Sequence, residues 1–173
     1  MDPEPSFLFA YTIDTNLVFG FIAIFALLFC SALVSGAEVA LFSLSQKDID
    51  DTLQENSSKG KIISKLLEKP KKLLATLLVA NNFVNIGVII LFLYIGKNLF
   101  STVTSPVLKF SIEVIVVTFL ILLFGEVLPK VYASRNNVKF AKRVAYPIAA
   151  LDKLLSPISL PMRACTNYIQ EKL

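Results

Sequence analysis

Three long apolar runs decide most of what this chain can become. "NLVFGFIAIFALLFCSALVSGAEVALFSL" covers residues 16–44, "LLATLLVANNFVNIGVIILFLYIG" covers 73–96, and a third run extends from about Val107 to Leu128. Each meets the length of roughly 20 residues that a helix needs to cross the hydrocarbon layer. Within that layer no water can satisfy a peptide N–H or C=O, so each run must close its own backbone hydrogen bonds as a helix. The sequence therefore predicts an all-α membrane protein with three transmembrane helices. The first run follows "MDPEP" rather than basic residues and exceeds the length of a signal-peptide core. It reads as a retained helix, preceded by an external tail at residues 1–15.

Orientation follows from the basic residues. Lys47, Lys59, Lys61, Lys65, Lys69, Lys71 and Lys72 lie between the first two runs, and Lys130, Arg135, Lys139, Lys142 and Arg143 follow the third. The opposite side holds an acidic N-terminus and a short loop with Lys97 and Lys109. The excess of lysine and arginine on one side places the N-terminus outside and the C-terminus in the cytoplasm of a cell-membrane protein. The net charge of +4 is accordingly a topology signal that also favours membrane lipids as partners. Nothing in its spacing suggests nucleic acid.

The connecting segments have their own pattern. Residues 45–70 place a polar turn around Asn56 to Gly60 between helix-forming stretches, which predicts a cytoplasmic helical hairpin leading into the second span at Pro70. Residues 136–173 put Ala141, Val144, Ala145 and Ile148 on one helical face, interrupted by Pro147, Pro157 and Pro161. That pattern suits short amphipathic juxtamembrane helices along the inner membrane face, or helices packed on the bundle. There is no histidine, and Cys30 and Cys165 form no CxxC pair. A zinc site, an iron–sulfur cluster and a disulfide framework all lack ligands, which leaves both cysteines as packing residues.

Polar residues interrupt all three runs at a common depth. At 1.5 Å per helical residue, Ser35 lies about 18 Å from Lys47, Asn81 and Asn85 about 13 and 20 Å from Lys72, and Glu126 about 13 Å from Arg135. Asn81 and Asn85 share one helix face, as do Ser31 and Ser35, with Glu38 one turn further in. Pro129 has no N–H to donate to the Gly125 carbonyl, and a freed carbonyl at membrane depth needs protein, water or an ion. Asparagine oxygens, a hydroxyl, that carbonyl and the Glu126 carboxylate form an all-oxygen set suited to a hard cation such as Mg²⁺, Ca²⁺ or Na⁺. Spacing does not choose among those ions.

Each member also has an ordinary explanation. Glu126 and Lys130 are four apart and suit a helix-end ion pair. The asparagines suit hydrogen bonding between helices, and the stripe Ala32, Gly36, Ala40 suits close helix packing. Glu38 suits a supporting partner of the polar layer or a cap for a neighbouring helix. An enzyme is not indicated, because no nucleophile and base come together.

Three segments carry a resemblance. "LVSGAEVALFSLS" at 33–45, "VANNFVNI" at 79–86 and "FGEVLPKVYA" at 124–133 resemble, in order, the signature segments of the DUF21 transmembrane domain of the CorC and cyclin-M (CNNM) magnesium transporters. The resemblance implies a transmembrane core at 16–135, a juxtamembrane belt at 136–173, a homodimer, and an inward-facing site for dehydrated Mg²⁺ in each protomer. Carried onto matching positions, the ligands are Ser35, Asn81, Asn85, the Gly125 carbonyl and Glu126, supported by Asn82 and Glu38. Pro129 is then a pivot for alternating access. The implied activity is Mg²⁺ export, coupled to Na⁺ influx. Family members usually continue into a cytoplasmic CBS pair, which binds ATP, and often a CorC/HlyC-type domain. Neither pattern occurs up to Leu173, so no nucleotide site is expected in these residues. The alternative is a membrane anchor, scaffold or Mg²⁺ sensor, such as the motility-associated family members of gliding bacteria.

Overall fold

The computed structural model describes residues 15–54, 58–100 and 102–156, and these contain helices and no strand. Helix α1 runs Thr15–Phe42, α2 Gln46–Gln54, α3 Ser58–Leu67 and α4 Pro70–Leu99. The third span begins with α5, Pro106–Leu120, widens into a π-helical segment at Ile121–Val127 and continues as α6, Leu128–Arg135. Helix α7 follows at Asn137–Leu154. Three helical stretches, Leu17–Phe42, Pro70–Lys97 and Pro106–Arg135, are long and apolar enough to cross a membrane. Their outer faces carry large apolar side chains, with Phe25 72% and Phe83 78% exposed, as lipid-facing surfaces require. The chain is an all-α, multi-pass membrane protein.

Local chemistry sets the helix ends. Pro70 and Pro106 occupy the first turns of α4 and α5, where a missing N–H costs nothing. Ser45 opens α2 with a reciprocal cap: its hydroxyl accepts from Asp48 N–H at 3.2 Å, and its own N–H donates to Asp48 Oδ2 at 2.9 Å. Its hydroxyl also lies 2.7 Å from the same carboxylate oxygen. These bonds satisfy amides that a helix start leaves open.

Two apolar clusters form the core. One, around Ile24, Leu28, Val88, Phe92, Val117 and Ile121, ties the three spans together away from the basic connections. The other, around Leu41, Ile63, Leu73, Leu77, Val144 and Ile148, packs α1 and α4 against α3 and α7 at the basic end. Gly36 seats α7 on α1, because a Cβ there would run into the Phe140 ring. The side chain of Glu113, on α5, is buried against Gly96 of α4.

Two expectations need correction. The residues anticipated as a turn up to Gly60 are helical from Ser58, because Gly60 lets α3 approach the Thr52 carbonyl of α2 directly. Pro147 does not interrupt α7; it is exposed, as is Arg143, whose carbonyl it leaves without the α-helical donor. Ala141, Val144, Ala145 and Ile148 are all buried in the basic-end cluster, so α7 packs on the bundle. Pro157, Pro161 and Cys165 lie outside the described residues.

Gly60→Ala should loosen the hairpin, since the added methyl meets backbone rather than a side chain that can swing away. Faster amide hydrogen exchange throughout α2 and α3, with the spans unchanged, is the expected result. The Ser45 cap also makes the hairpin acid-sensitive. Its hydroxyl and N–H hold the Asp48 carboxyl below its ordinary value. The resulting stabilisation is present above the usual aspartate range and is lost as pH falls through the lowered value. Amide exchange in the first turn of α2 should rise at that pH, and Ser45→Ala should move the rise upward.

Candidate metal site

A polar layer separates the two apolar clusters, and it is built by all three spans. On α1, Ser31 and Ser35 are buried one turn apart. On α4, Asn81 and Asn85 are likewise one turn apart and half-buried. The Ser31 hydroxyl lies 3.1 Å from Asn81 Oδ1 and 2.7 Å from Asn85 Oδ1. The Asn85 amide nitrogen donates to Glu126 Oε1 at 3.0 Å. One amide thus joins the first span to the third, and that bond sets its orientation: with Nδ2 turned to the carboxylate, Oδ1 must face Ser31.

Gly125 makes the approach possible. It is buried, and a Cβ on it would lie 2.9 Å from Ser31 Oγ and 3.4 Å from Ser31 Cβ. The π-helical segment turns Gly125 and Glu126 toward α1 and α4. At its end the Leu128 N–H reaches back five residues to the Leu123 carbonyl. Pro129 follows at once and gives the Gly125 carbonyl no donor at the α-helical spacing. Instead of breaking at the proline, the span stays helical with a widened turn, a device that often marks functional positions.

The remaining predicted residues fall around this group. Ser35 is buried, and its hydroxyl has no hydrogen-bond partner. A buried hydroxyl left unpaired costs on the order of 1–3 kcal/mol, so this position carries unused capacity beside the layer. Glu38 pairs with Lys130 at 3.3 Å, both groups being partly exposed. The ion pair anticipated between Glu126 and Lys130 is therefore replaced by one between α1 and α6, with Glu126 bonded to Asn85. Asn82 is exposed and joins none of these bonds. Ser31 takes the central position; its four-residue spacing from Ser35 was the available signal. Glu113 is a buried carboxylate with an unpartnered oxygen, but it lies 13 residues from the half-buried Glu126, about 20 Å along the span.

The chemistry of the layer is that of neutral oxygens around one carboxylate. Ser31 has one proton to offer two amide oxygens, so the cluster is richer in acceptors than in donors. Among the described residues no three His, Cys, Asp or Glu side chains gather. A cation here would rely on hydroxyl, amide and backbone oxygens, a donor set for hard ions.

Residues 21–173 match the family described as the cyclin M transmembrane N-terminal domain, CNNM. The chain belongs to the CNNM family. Relatives of this CNNM domain include the UPF0053 inner membrane protein YfjD of Escherichia coli, 29% identical over 83% of this chain and 32% of its own length. A UPF0053 protein of Haemophilus influenzae is 29% identical over 87% of this chain and 35% of its own length. The metal transporter cnnm-4 of Caenorhabditis elegans is 26% identical over 82% of this chain and 30% of its own length. The CNNM domain described here thus spans about a third of the length of these relatives.

Gly125→Ala tests the close approach in the polar layer. Its methyl would push Ser31 and the third span apart, costing about 1–3 kcal/mol as overpacking does. A lowered thermal midpoint in detergent is expected, with Ser31→Ala partly restoring it in the double variant.

Proposed function

We propose that this CNNM domain is the membrane-spanning part of a divalent-cation transporter whose substrate ion is Mg²⁺. The observation that carries the reading is the convergence of Ser31, Asn81, Asn85 and Glu126 from three spans into one layer, with Gly125 packed against it. Similarity to a protein named as a metal transporter supports the same reading. In it, Asn81 and Asn85 turn their amide oxygens, and Ser35 its unpaired hydroxyl, onto the ion. The Gly125 carbonyl, deprived of the α-helical donor by Pro129, supplies a fourth neutral oxygen. Glu126 contributes the one negative charge and offsets half that of Mg²⁺. Several well-placed oxygens are needed because Mg²⁺ gives up its waters reluctantly.

The same reading gives the direction and the drive. The basic connections face the cytoplasm, the site opens inward, and the ion leaves the cell in exchange for Na⁺. The domain works as a homodimer, with a cytoplasmic CBS pair as the regulatory partner in the full-length protein. Between inward- and outward-facing states, the π-helical turn before Pro129 is the point where the third span can change register.

Calorimetry on purified protein should show Mg²⁺ binding that falls at least tenfold in Glu126→Gln and Asn85→Ala. Equal heats in the variants, or none in the wild type, would remove the site. Pro129→Ala returns a donor to the Gly125 carbonyl and should weaken binding comparably. Liposomes loaded with Mg²⁺ should lose it in a Na⁺ gradient. Binding without such flux would instead favour the sensor or scaffold reading.

A further inference from the structure

At the basic end, α3, the first turn of α4 and the last turns of α7 enclose a cavity of about 440 Å³. Taking about 30 Å³ per water, it has room for roughly fifteen waters, enough for a lipid headgroup but not its chains. Its walls are fixed. Lys72 Nζ pairs with Asp152 Oδ2 at 2.7 Å, and Thr76 donates to Asp152 Oδ1 at 3.1 Å, joining α4 to α7 across 80 residues of sequence. The pair is largely withdrawn from solvent, with the Lys72 side chain 14% exposed.

Since Asp152 neutralises Lys72, the charge left in the cavity comes from other residues. Among the described residues, Lys65, Lys69 and Lys153 line it with one remaining carboxylate, Glu68. Three lysines thus share that lining with one acid, so the cavity favours an anion. Its other wall is apolar, formed by Ile62, Leu66 and Ala149. Lys69 and Lys72, which line it, flank Pro70, where a membrane-crossing helix begins, so a group bound there sits at headgroup depth. An anion beside an apolar wall at the membrane surface is the chemistry of an acidic phospholipid. Basic pockets beside spanning helices are suited to such headgroups.

We propose that this cavity binds the phosphate and glycerol of an anionic phospholipid, with Lys65, Lys69 and Lys153 as the recognising groups. Its occupant would brace α3 and α7 against the start of α4, the helix that carries Asn81 and Asn85 further along. The site is independent of the metal layer.

Native mass spectrometry of the protein from mixed phosphatidylglycerol and phosphatidylcholine nanodiscs tests this. One phosphatidylglycerol per chain should be retained in preference to phosphatidylcholine. Retention should fall at least fivefold in Lys65→Ala/Lys69→Ala/Lys153→Ala and stay unchanged in Lys47→Ala/Lys59→Ala/Lys139→Ala, which removes exposed lysines elsewhere. Circular dichroism checks that both triple variants fold. Should the cavity variant not fold, Glu68→Gln decides, since removing the acid should raise retention severalfold and no change would overturn the proposal. Equal losses in both triple variants would show diffuse surface attraction instead. Displacement of the lipid by inorganic phosphate alone at low millimolar concentration would mark a soluble-anion site and also overturn it.

Discussion

The Asn85 amide links all three spans of this protein by hydrogen bonds. Its oxygen faces Ser31 on the first span and its nitrogen donates to Glu126 on the third. Surrounded by lipid, apolar side chains gain little from meeting one another, because acyl chains are as apolar as leucine. Helix association then depends on close packing and on polar groups that have nowhere else to go. Both meet at this point, since the lack of a side chain on Gly125 lets the hydrogen-bonded group close.

The same arrangement is what the proposed cation site rests on. A polar seam built only for adhesion would balance donors and acceptors, whereas this one sets a single hydroxyl proton against two amide oxygens and leaves Ser35 unpaired nearby. The carboxylate is kept beside neutral oxygens by moving Lys130 to Glu38. That exchange matters electrostatically: an ammonium next to Glu126 would cancel the charge that a cation requires.

Packing differs on either side of the layer. Toward the basic connections, α3 and α7 cover the ends of α1 and α4, and the core there includes Leu41, Ile63, Val144 and Ile148. Away from them, the spans meet through a smaller cluster that includes Ile24, Val88 and Phe92. The Lys72–Asp152 pair fastens α7 to the second span.

Much of this was readable beforehand because it rests on local rules. Span lengths, the prolines at Pro70 and Pro106, and the depth of Ser35, Asn81, Asn85 and Glu126 follow from helical rise and hydropathy, which need no partner. The helical face of Ala141, Val144, Ala145 and Ile148 was equally legible, but its partner was not. What the sequence by itself determined was three membrane helices and a layer of oxygens at one depth. Only the tertiary structure decided that Ser31 stands at the centre, that Lys130 turns to Glu38, and that Pro129 follows a π-helical turn rather than a break. Each of these depends on the rotation and spacing of neighbouring helices, set by contacts such as Gly125 on Ser31 and Gly36 on Phe140, which residue spacing along one chain does not encode.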